Sequence, residues 1–127
     1  MITLEPHPFG ELIGLEVTEA NDGVAVTRLE VQPELLNPHG VLHGGVLFSM
    51  ADTAMGAAVK SLLDEAELCA SIEVHIRFLA PCKDGTLTSV TEVVGRGKRV
   101  MQLESRITDA SGRLIATATG AFAVLAA

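Results

Sequence analysis

The sequence predicts a single α+β domain over residues 1–127, in which one long helix is wrapped by a curved antiparallel sheet. The first observation is a nearly all-apolar run of helical length from about residue 43 to about residue 63. The second is that β-prone segments follow it, separated by short turns rich in Gly and Asp. Because the helix lacks a broad polar face, we expect it to be buried on most sides.

Short turns separate the predicted elements along the chain. A first strand over residues 24–31 follows the turn Asn21-Asp22-Gly23 and ends at a proline. The helix comes next, with Lys60 near its negative end. Short turns then predict antiparallel hairpins, so the last four strands should form a meander over residues 69–79, 86–94, 100–108 and 113–125.

The segment 69–79 alternates between two kinds of side chain, as a half-buried strand does. Strict alternation predicts one apolar face and one polar face. The apolar face carries Ile72, Val74, Ile76 and Phe78, and the other carries Ser71, Glu73, His75 and Arg77.

Composition limits the class of protein. Hydrophobic residues make up 48% and charged residues 20% of the chain, which favours an oligomer that hides apolar surface. A net charge of −7 argues against binding to nucleic acid or to an anionic membrane. No apolar run reaches membrane-spanning length, and the amino terminus does not resemble a signal peptide. Cys69 and Cys82 lack partner cysteines, so we expect free thiols and a cytoplasmic location.

The most informative segment is 37–56, where a turn leads through His43-Gly44-Gly45 into the helix. Glycines at a helix start expose backbone N–H groups at the positive end of the helix dipole. Asp52 lies about two turns inside the helix, and a lone carboxylate there is costly unless it is hydrogen-bonded or faces a reactive cavity. The alternative is that Asp52 belongs to a thin polar stripe with neighbours at helical spacing.

These residues resemble the hotdog-fold thioesterases, most of all the phenylacetate-pathway (PaaI-type) branch. The motif is Asn37, His43-Gly44-Gly45 and Asp52, supported by the segment 71–81, and the resemblance covers residues 9–125. It implies a hotdog fold, namely a long helix in a curved sheet. It also implies an acyl-CoA thioesterase that needs no metal and no cofactor, because coenzyme A is part of the substrate. Homodimers, paired into tetramers, with active sites at subunit interfaces are implied as well.

The resemblance implies a role for each motif residue, and each role has an alternative. Asp52 would be the general base or the nucleophile, and the Gly44 N–H would polarise the carbonyl. Asn37 would orient water, His43 would polarise the carbonyl or hold the loop, and Ser71 would approach from the neighbouring strand. Asn37 and His43 could equally be turn residues, and an alternating strand offers a serine at some position anyway.

Two further features bear on ligands. The basic turn Arg96, Lys98 and Arg99 could contact the phosphates of coenzyme A, or be an ordinary solvated turn. His39 and His43 have a zinc-like spacing, but the glycine between them makes a helix improbable there, so we expect no metal site. The rival to an enzyme is a noncatalytic acyl-CoA or lipid-binding dimer that uses the same pocket.

Overall fold

The computed structural model describes residues 7–126 and confirms the α+β architecture. Six strands form one antiparallel sheet in the order β1-β2-β4-β5-β6-β3. The long helix α2 contacts all six strands, so the sheet curves around it. The elements are α1 (Pro8–Ile13), β1 (Leu15–Asn21), β2 (Val24–Glu30), a 3-10 turn (Pro33–Leu35), α2 (Gly44–Lys60), β3 (Glu67–Phe78), β4 (Thr86–Arg96), β5 (Val100–Thr108) and β6 (Leu114–Ala126). Neither α1 nor β1 is predicted from the sequence, and β1 mixes apolar and charged residues without a clear period.

Helix α2 packs its apolar side into the sheet and ends earlier than predicted. Eight of its side chains are buried, including Met50 and Met55, which have no exposed surface. The helix ends at Lys60 rather than near residue 63. Ser61 explains the difference, because its Oγ donates to the Ala58 carbonyl (2.7 Å) and accepts the Gly23 N–H (2.8 Å). This contact ties the end of α2 to the turn between β1 and β2.

One stripe of α2 stays partly open, while the expected burial holds for the side that packs into the sheet. Gly44, Phe48, Asp52 and Gly56 follow one another at intervals of four residues, and none of them is fully buried. Residues at this spacing lie on one face of a helix. The motif residues of α2 therefore share its accessible face.

The order of the strands corrects the predicted meander. Strands β4, β5 and β6 are consecutive neighbours, but β3 pairs with β6 at the edge of the sheet. The segment 79–85 is therefore not a hairpin loop and crosses the sheet to reach β4. Two backbone hydrogen bonds fix this segment against its neighbours. The Leu79 N–H donates to the Ile115 carbonyl (2.8 Å), and the Leu42 N–H donates to the Cys82 carbonyl (2.7 Å).

A bulge in β3 corrects the predicted faces of that strand. The register with β6 shifts between Ser71 and Glu73, so Ile72 is an extra residue. Ser71 lies opposite Phe122, whose side chain is buried against the helix, and so Ser71 faces α2 rather than the side of Glu73. Ile72, predicted on the apolar face, is 56% exposed. Beyond the bulge the prediction is correct, because Val74 and Ile76 pack against the core.

Candidate functional site

The loop before α2 is shaped by Asn37. Its Oδ1 accepts the N–H groups of His39 (2.9 Å) and Val41 (3.3 Å), and Gly40 takes a positive φ of 77°. A side chain that closes a loop in this way is the turn function that the sequence left open for Asn37. Both lone pairs of the amide oxygen are used by the backbone, so only Nδ2 of Asn37 is available to a ligand.

The start of α2 leaves one backbone donor free. His43 is the N-cap residue, and its Nδ1 accepts the Gly45 N–H (2.8 Å) while its carbonyl accepts the Val46 N–H (3.0 Å). The Gly44 N–H has no acceptor within residues 7–126. Since Gly45 is engaged and Gly44 is not, the donor available to a carbonyl oxygen is that of Gly44. The contact through Nδ1 joins His43 to the start of the helix, and its catalytic role stays a prediction.

A groove with mostly apolar side chains includes Gly44 in its lining. Its volume is about 380 Å³, and the lining includes Asn37, Leu47, Leu79 and Pro81. The Phe78 ring forms one wall, with two ring atoms 3.1 Å from the position that a Gly44 Cβ would occupy. A glycine is therefore needed at position 44 for the ring to lie this close. The groove can take an apolar group attached to a carbonyl that hydrogen-bonds to Gly44.

Asp52 is half-buried on the open stripe of α2, next to the bulged part of β3. Burial raises the pKa of its carboxyl above the ordinary value of 3.8. Two smaller effects oppose the rise in pKa: the positive charge of His7, and a hydrogen bond that the Ser71 hydroxyl donates. The fold thus brings Ser71 and Asp52 together, although strict strand alternation places Ser71 on the opposite face. A carboxylate with a raised pKa is a stronger base than an exposed one.

His7 is a neighbour of Asp52 that sequence reasoning missed. It is the N-cap residue of α1, and its ring lies edge-on to Phe9 with centroids 6.3 Å apart. No motif includes His7, and 45 positions separate it from Asp52, so only the packing of the amino-terminal segment reveals the proximity.

Gly44 and Asp52 of one chain are too far apart to act on one carbonyl group. Eight residues of α-helix span about 12 Å along the axis. A reacting carbonyl needs its oxygen and its carbon each within hydrogen-bonding or attack distance, about 3 Å, of the group that acts on it. The two halves of the candidate site in one chain are therefore separate.

The basic turn lies at the other end of α2. Arg96 Nη2 donates to the Leu62 carbonyl (3.2 Å) just after the helix, and Arg96 and Lys98 line a cavity of about 340 Å³ with Leu62 and Glu67. Arg99 also belongs to this turn, and its carbonyl accepts the Val124 N–H (2.8 Å). The structure does not bring these cations near the Gly44 of the same chain, and their role toward phosphates stays a prediction.

Within residues 7–126, no three His, Cys, Asp or Glu side chains come together as metal ligands. No helix in that range is long and apolar enough to cross a membrane.

Comparisons with known proteins identify the family of the chain. The model of the thioesterase superfamily matches residues 39–116, which include His43, Gly44, Asp52 and Ser71. The 1,4-dihydroxy-2-naphthoyl-CoA hydrolase of Listeria monocytogenes is 31% identical over 83% of this chain and 85% of its own length. The acyl-coenzyme A thioesterase PaaI of Escherichia coli is 33% identical over 85% of this chain and 76% of its own length.

Solved structures match almost the whole chain. A conserved protein of Pseudomonas aeruginosa is 33% identical and superposes with a TM-score of 0.90, covering 94% of this chain and 95% of its own. The PaaI protein of Escherichia coli superposes with a TM-score of 0.85 at 28% identity, covering 92% of this chain and 83% of its own. With this fold and these relatives, the chain belongs to the thioesterase superfamily as a PaaI-like thioester hydrolase of the hotdog fold.

Proposed function

We propose that the protein hydrolyses acyl-CoA thioesters, with the Gly44 N–H as the oxyanion donor and Asp52 as the base or nucleophile. The observation that carries this proposal is the free Gly44 N–H at the helix start, beside an apolar groove. Thioester hydrolysis places negative charge on the carbonyl oxygen in the transition state, and a preorganised N–H stabilises that charge.

We propose further that each site combines two chains. Because Gly44 and Asp52 of one chain stand about 12 Å apart along α2, the carbonyl bound at Gly44 would meet Asp52 and Ser71 of a second copy. Strand β3 supports this arrangement, since it is twelve residues long and forms one edge of the sheet. A long edge strand with exposed apolar side chains such as Leu68 is a surface that another strand can pair with.

In the base mechanism, Asp52 takes a proton from water while the water oxygen forms a bond to the thioester carbon. The oxyanion of the tetrahedral intermediate accepts the Gly44 N–H. Its collapse breaks the C–S bond, and the coenzyme A thiolate takes the proton back from Asp52. In the nucleophile mechanism, the Asp52 carboxylate attacks the carbon, the thiolate leaves, and water hydrolyses the resulting anhydride. A thiolate is a good leaving group, so neither route needs a strong general acid.

The groove beside Gly44 supports placing the acyl group against Leu47 and Phe78, because both apolar side chains belong to its lining. The phosphates of coenzyme A would then lie outside the groove. In a dimer whose α2 helices run antiparallel, the Lys98 and Arg99 turn of the second copy would come closer to Gly44 than that of the same chain. An acyl-CoA substrate also fits the cytoplasmic location expected from the free thiols of Cys69 and Cys82.

The test is release of free thiol from a panel of acyl-CoAs by wild type and Asp52→Asn. We expect the variant to lose about 10²–10⁴-fold in kcat, the usual contribution of a general base. Ligand that is bound but never cleaved by the wild type would favour the noncatalytic binding dimer instead.

A subunit-mixing experiment tests the two-chain site. Asp52→Asn and Gly44→Pro each inactivate one half of a site, so the separate variants should be nearly inactive. After co-expression, half of the dimers are mixed and each mixed dimer keeps one intact site, so activity should return to about a quarter of wild type. No recovery in dimers proven to be mixed would contradict the two-chain site.

A further inference from the structure

One wall of the groove at Gly44 is irregular backbone rather than helix or strand. Leu79, Ala80 and Pro81 of the segment 79–85 line the groove together with Gly44 and Phe78, and we call these three residues the crossover wall. Leu79 and Pro81 are exposed, and only Ala80 packs against the core. Since packing holds so little of the crossover wall, its position depends on its hydrogen bonds.

Backbone hydrogen bonds anchor the crossover wall on both sides of Pro81. The N–H groups of Leu79 and Ala80 share the Ile115 carbonyl (2.8 and 3.2 Å), and the carbonyl of the buried Cys82 accepts a backbone N–H from the loop before α2 (2.7 Å). Pro81 lies between these anchors and has no N–H to donate. Its backbone can therefore be fixed only through its carbonyl.

Arg113 supplies the donor for that carbonyl. Its Nη2 donates to the Pro81 carbonyl oxygen at 2.6 Å, although the two residues are 32 positions apart. Among residues 7–126, no other group donates to the Pro81 carbonyl. The same guanidinium is paired with Asp109, whose Oδ2 lies 3.5 Å from its Nε. A charged donor makes a stronger hydrogen bond than a neutral one.

The turn that carries Arg113 is itself fixed. Asp109 Oδ1 accepts the Ser111 N–H (2.9 Å), the Ser111 hydroxyl (2.7 Å) and the Arg113 N–H (3.0 Å). These hydrogen bonds, that of the Ser111 hydroxyl first among them, hold the pKa of the Asp109 carboxyl below its usual value, so the carboxylate stays ionised beside the guanidinium. Arg113 thus extends from a preorganised turn to the crossover wall.

We propose that Arg113 is a positioning residue that fixes the crossover wall and thereby sets which acyl groups the groove accepts. The proposal rests on the proposed function for the nature of the ligand. Without the Arg113 contact, the backbone at Pro81 is free to move between its two anchors, so the groove widens. A wider groove holds a short acyl group less tightly and gives a bulky one more room, whereas the Gly44 N–H and Asp52 keep their places on α2.

The experiment compares kcat and KM for thiol release from acyl-CoAs with short linear and with bulky acyl groups. Arg113→Met keeps most of the side-chain length and has no donor. We expect its KM for short acyl groups to rise with kcat nearly unchanged. The ratio of kcat/KM for bulky over short groups should rise about tenfold, the effect of roughly one methylene group in a pocket.

Two other variants separate positioning from a general effect on the fold. Arg113→Lys keeps a charged donor and should restore the wild-type ratio in part. Arg28→Met makes the same change at an exposed arginine of β2 that does not line the groove, and it should leave the ratio unchanged. An Arg113→Met variant that keeps the wild-type ratio, or that loses activity equally toward every acyl group, would overturn the proposal.

A binding measurement keeps this proposal apart from the proposed function. S-(2-oxoalkyl)-CoA analogues present a carbonyl that is bonded to carbon instead of sulfur, so they bind without being cleaved. Calorimetry should give Arg113→Met the same shift in preference from short to bulky chains. If the wild type cleaves no acyl-CoA but this shift appears, the proposed function fails and the positioning role stands. If the wild type cleaves acyl-CoAs but the preference does not shift, the positioning role alone is refuted.

Discussion

Replacing Gly44 with proline removes the proposed oxyanion donor and adds a ring beside Phe78. Position 44 is the first residue of α2, where a proline is tolerated because the N–H has no intrahelical partner. The preceding residue, His43, has φ −64° and ψ 134°, which lies near the extended conformation that a following proline requires. We therefore expect Gly44→Pro to fold with a melting temperature close to that of wild type.

The expected effect on activity follows from the hydrogen-bond inventory. The Gly44 N–H has no acceptor among the described residues, so its removal breaks no hydrogen bond of the fold. One oxyanion donor is typically worth about 2.7–4 kcal/mol of activation free energy, which corresponds to a loss of about 10²–10³ in kcat. The readout is the rate of thiol release at saturating acyl-CoA.

Gly44→Ala is the matched control, because it keeps the N–H and adds a Cβ at the same place. That Cβ would lie 3.1 Å from two atoms of the Phe78 ring, which is 56% exposed and can shift. We expect the alanine variant to lose only a few-fold in kcat, so the ratio of the two variants isolates the N–H. Equal rates for the proline and alanine variants would refute the role of the Gly44 N–H.

Three further predictions test other contacts. His7→Gln removes a positive charge that lowers the Asp52 pKa, so the acid limb of kcat/KM should move to higher pH, whereas His39→Gln should leave the pH profile unchanged. Burial raises the folded-state pKa of Asp52, so wild-type stability is lost as pH rises through that pKa. The melting temperature of Asp52→Asn should therefore match wild type below pH 3.8, exceed it by a growing amount as pH rises to the folded-state pKa, and keep a constant excess above that pKa; a difference that does not vary with pH would contradict this. Ser105→Ala leaves the buried Thr91 hydroxyl, now 2.7 Å from the Ser105 oxygen, without its acceptor and should cost about 1–3 kcal/mol in denaturant unfolding. Thr91→Val in the same chain should recover most of that loss, and full additivity of the two changes would contradict the hydrogen bond.

Local patterns predicted the elements well because the forces behind them act over a few residues. The apolar run of α2 and the segments between turns at β4 and β5 reappear as helix and strands with nearly the expected bounds. The start of the helix could also be predicted from the sequence, since His43 and Gly45 make their capping contact within three residues. Strand β1 could not be predicted, because its apolar positions are interrupted by charged residues.

Strand neighbours and side-chain partners required the folded chain. A turn rich in Gly and Asp predicts a hairpin, yet residues 79–85 carry the chain across the sheet, so that β3 lies beside β6. The extra residue Ile72 places the Ser71 side chain on the opposite face of the strand from the one predicted, and no pattern in the sequence marks that bulge.

By itself the sequence determined the α+β class, the helix with its free Gly44 N–H, and the family to which the motif belongs. These properties depend on periodicity and on hydrogen bonds between close neighbours in the chain. Only the tertiary structure decided that Ser71 and His7 lie next to Asp52 and that the basic turn lies at the far end of α2. Each of these contacts joins residues distant in sequence, so it is set by how the sheet closes around the helix rather than by any local preference.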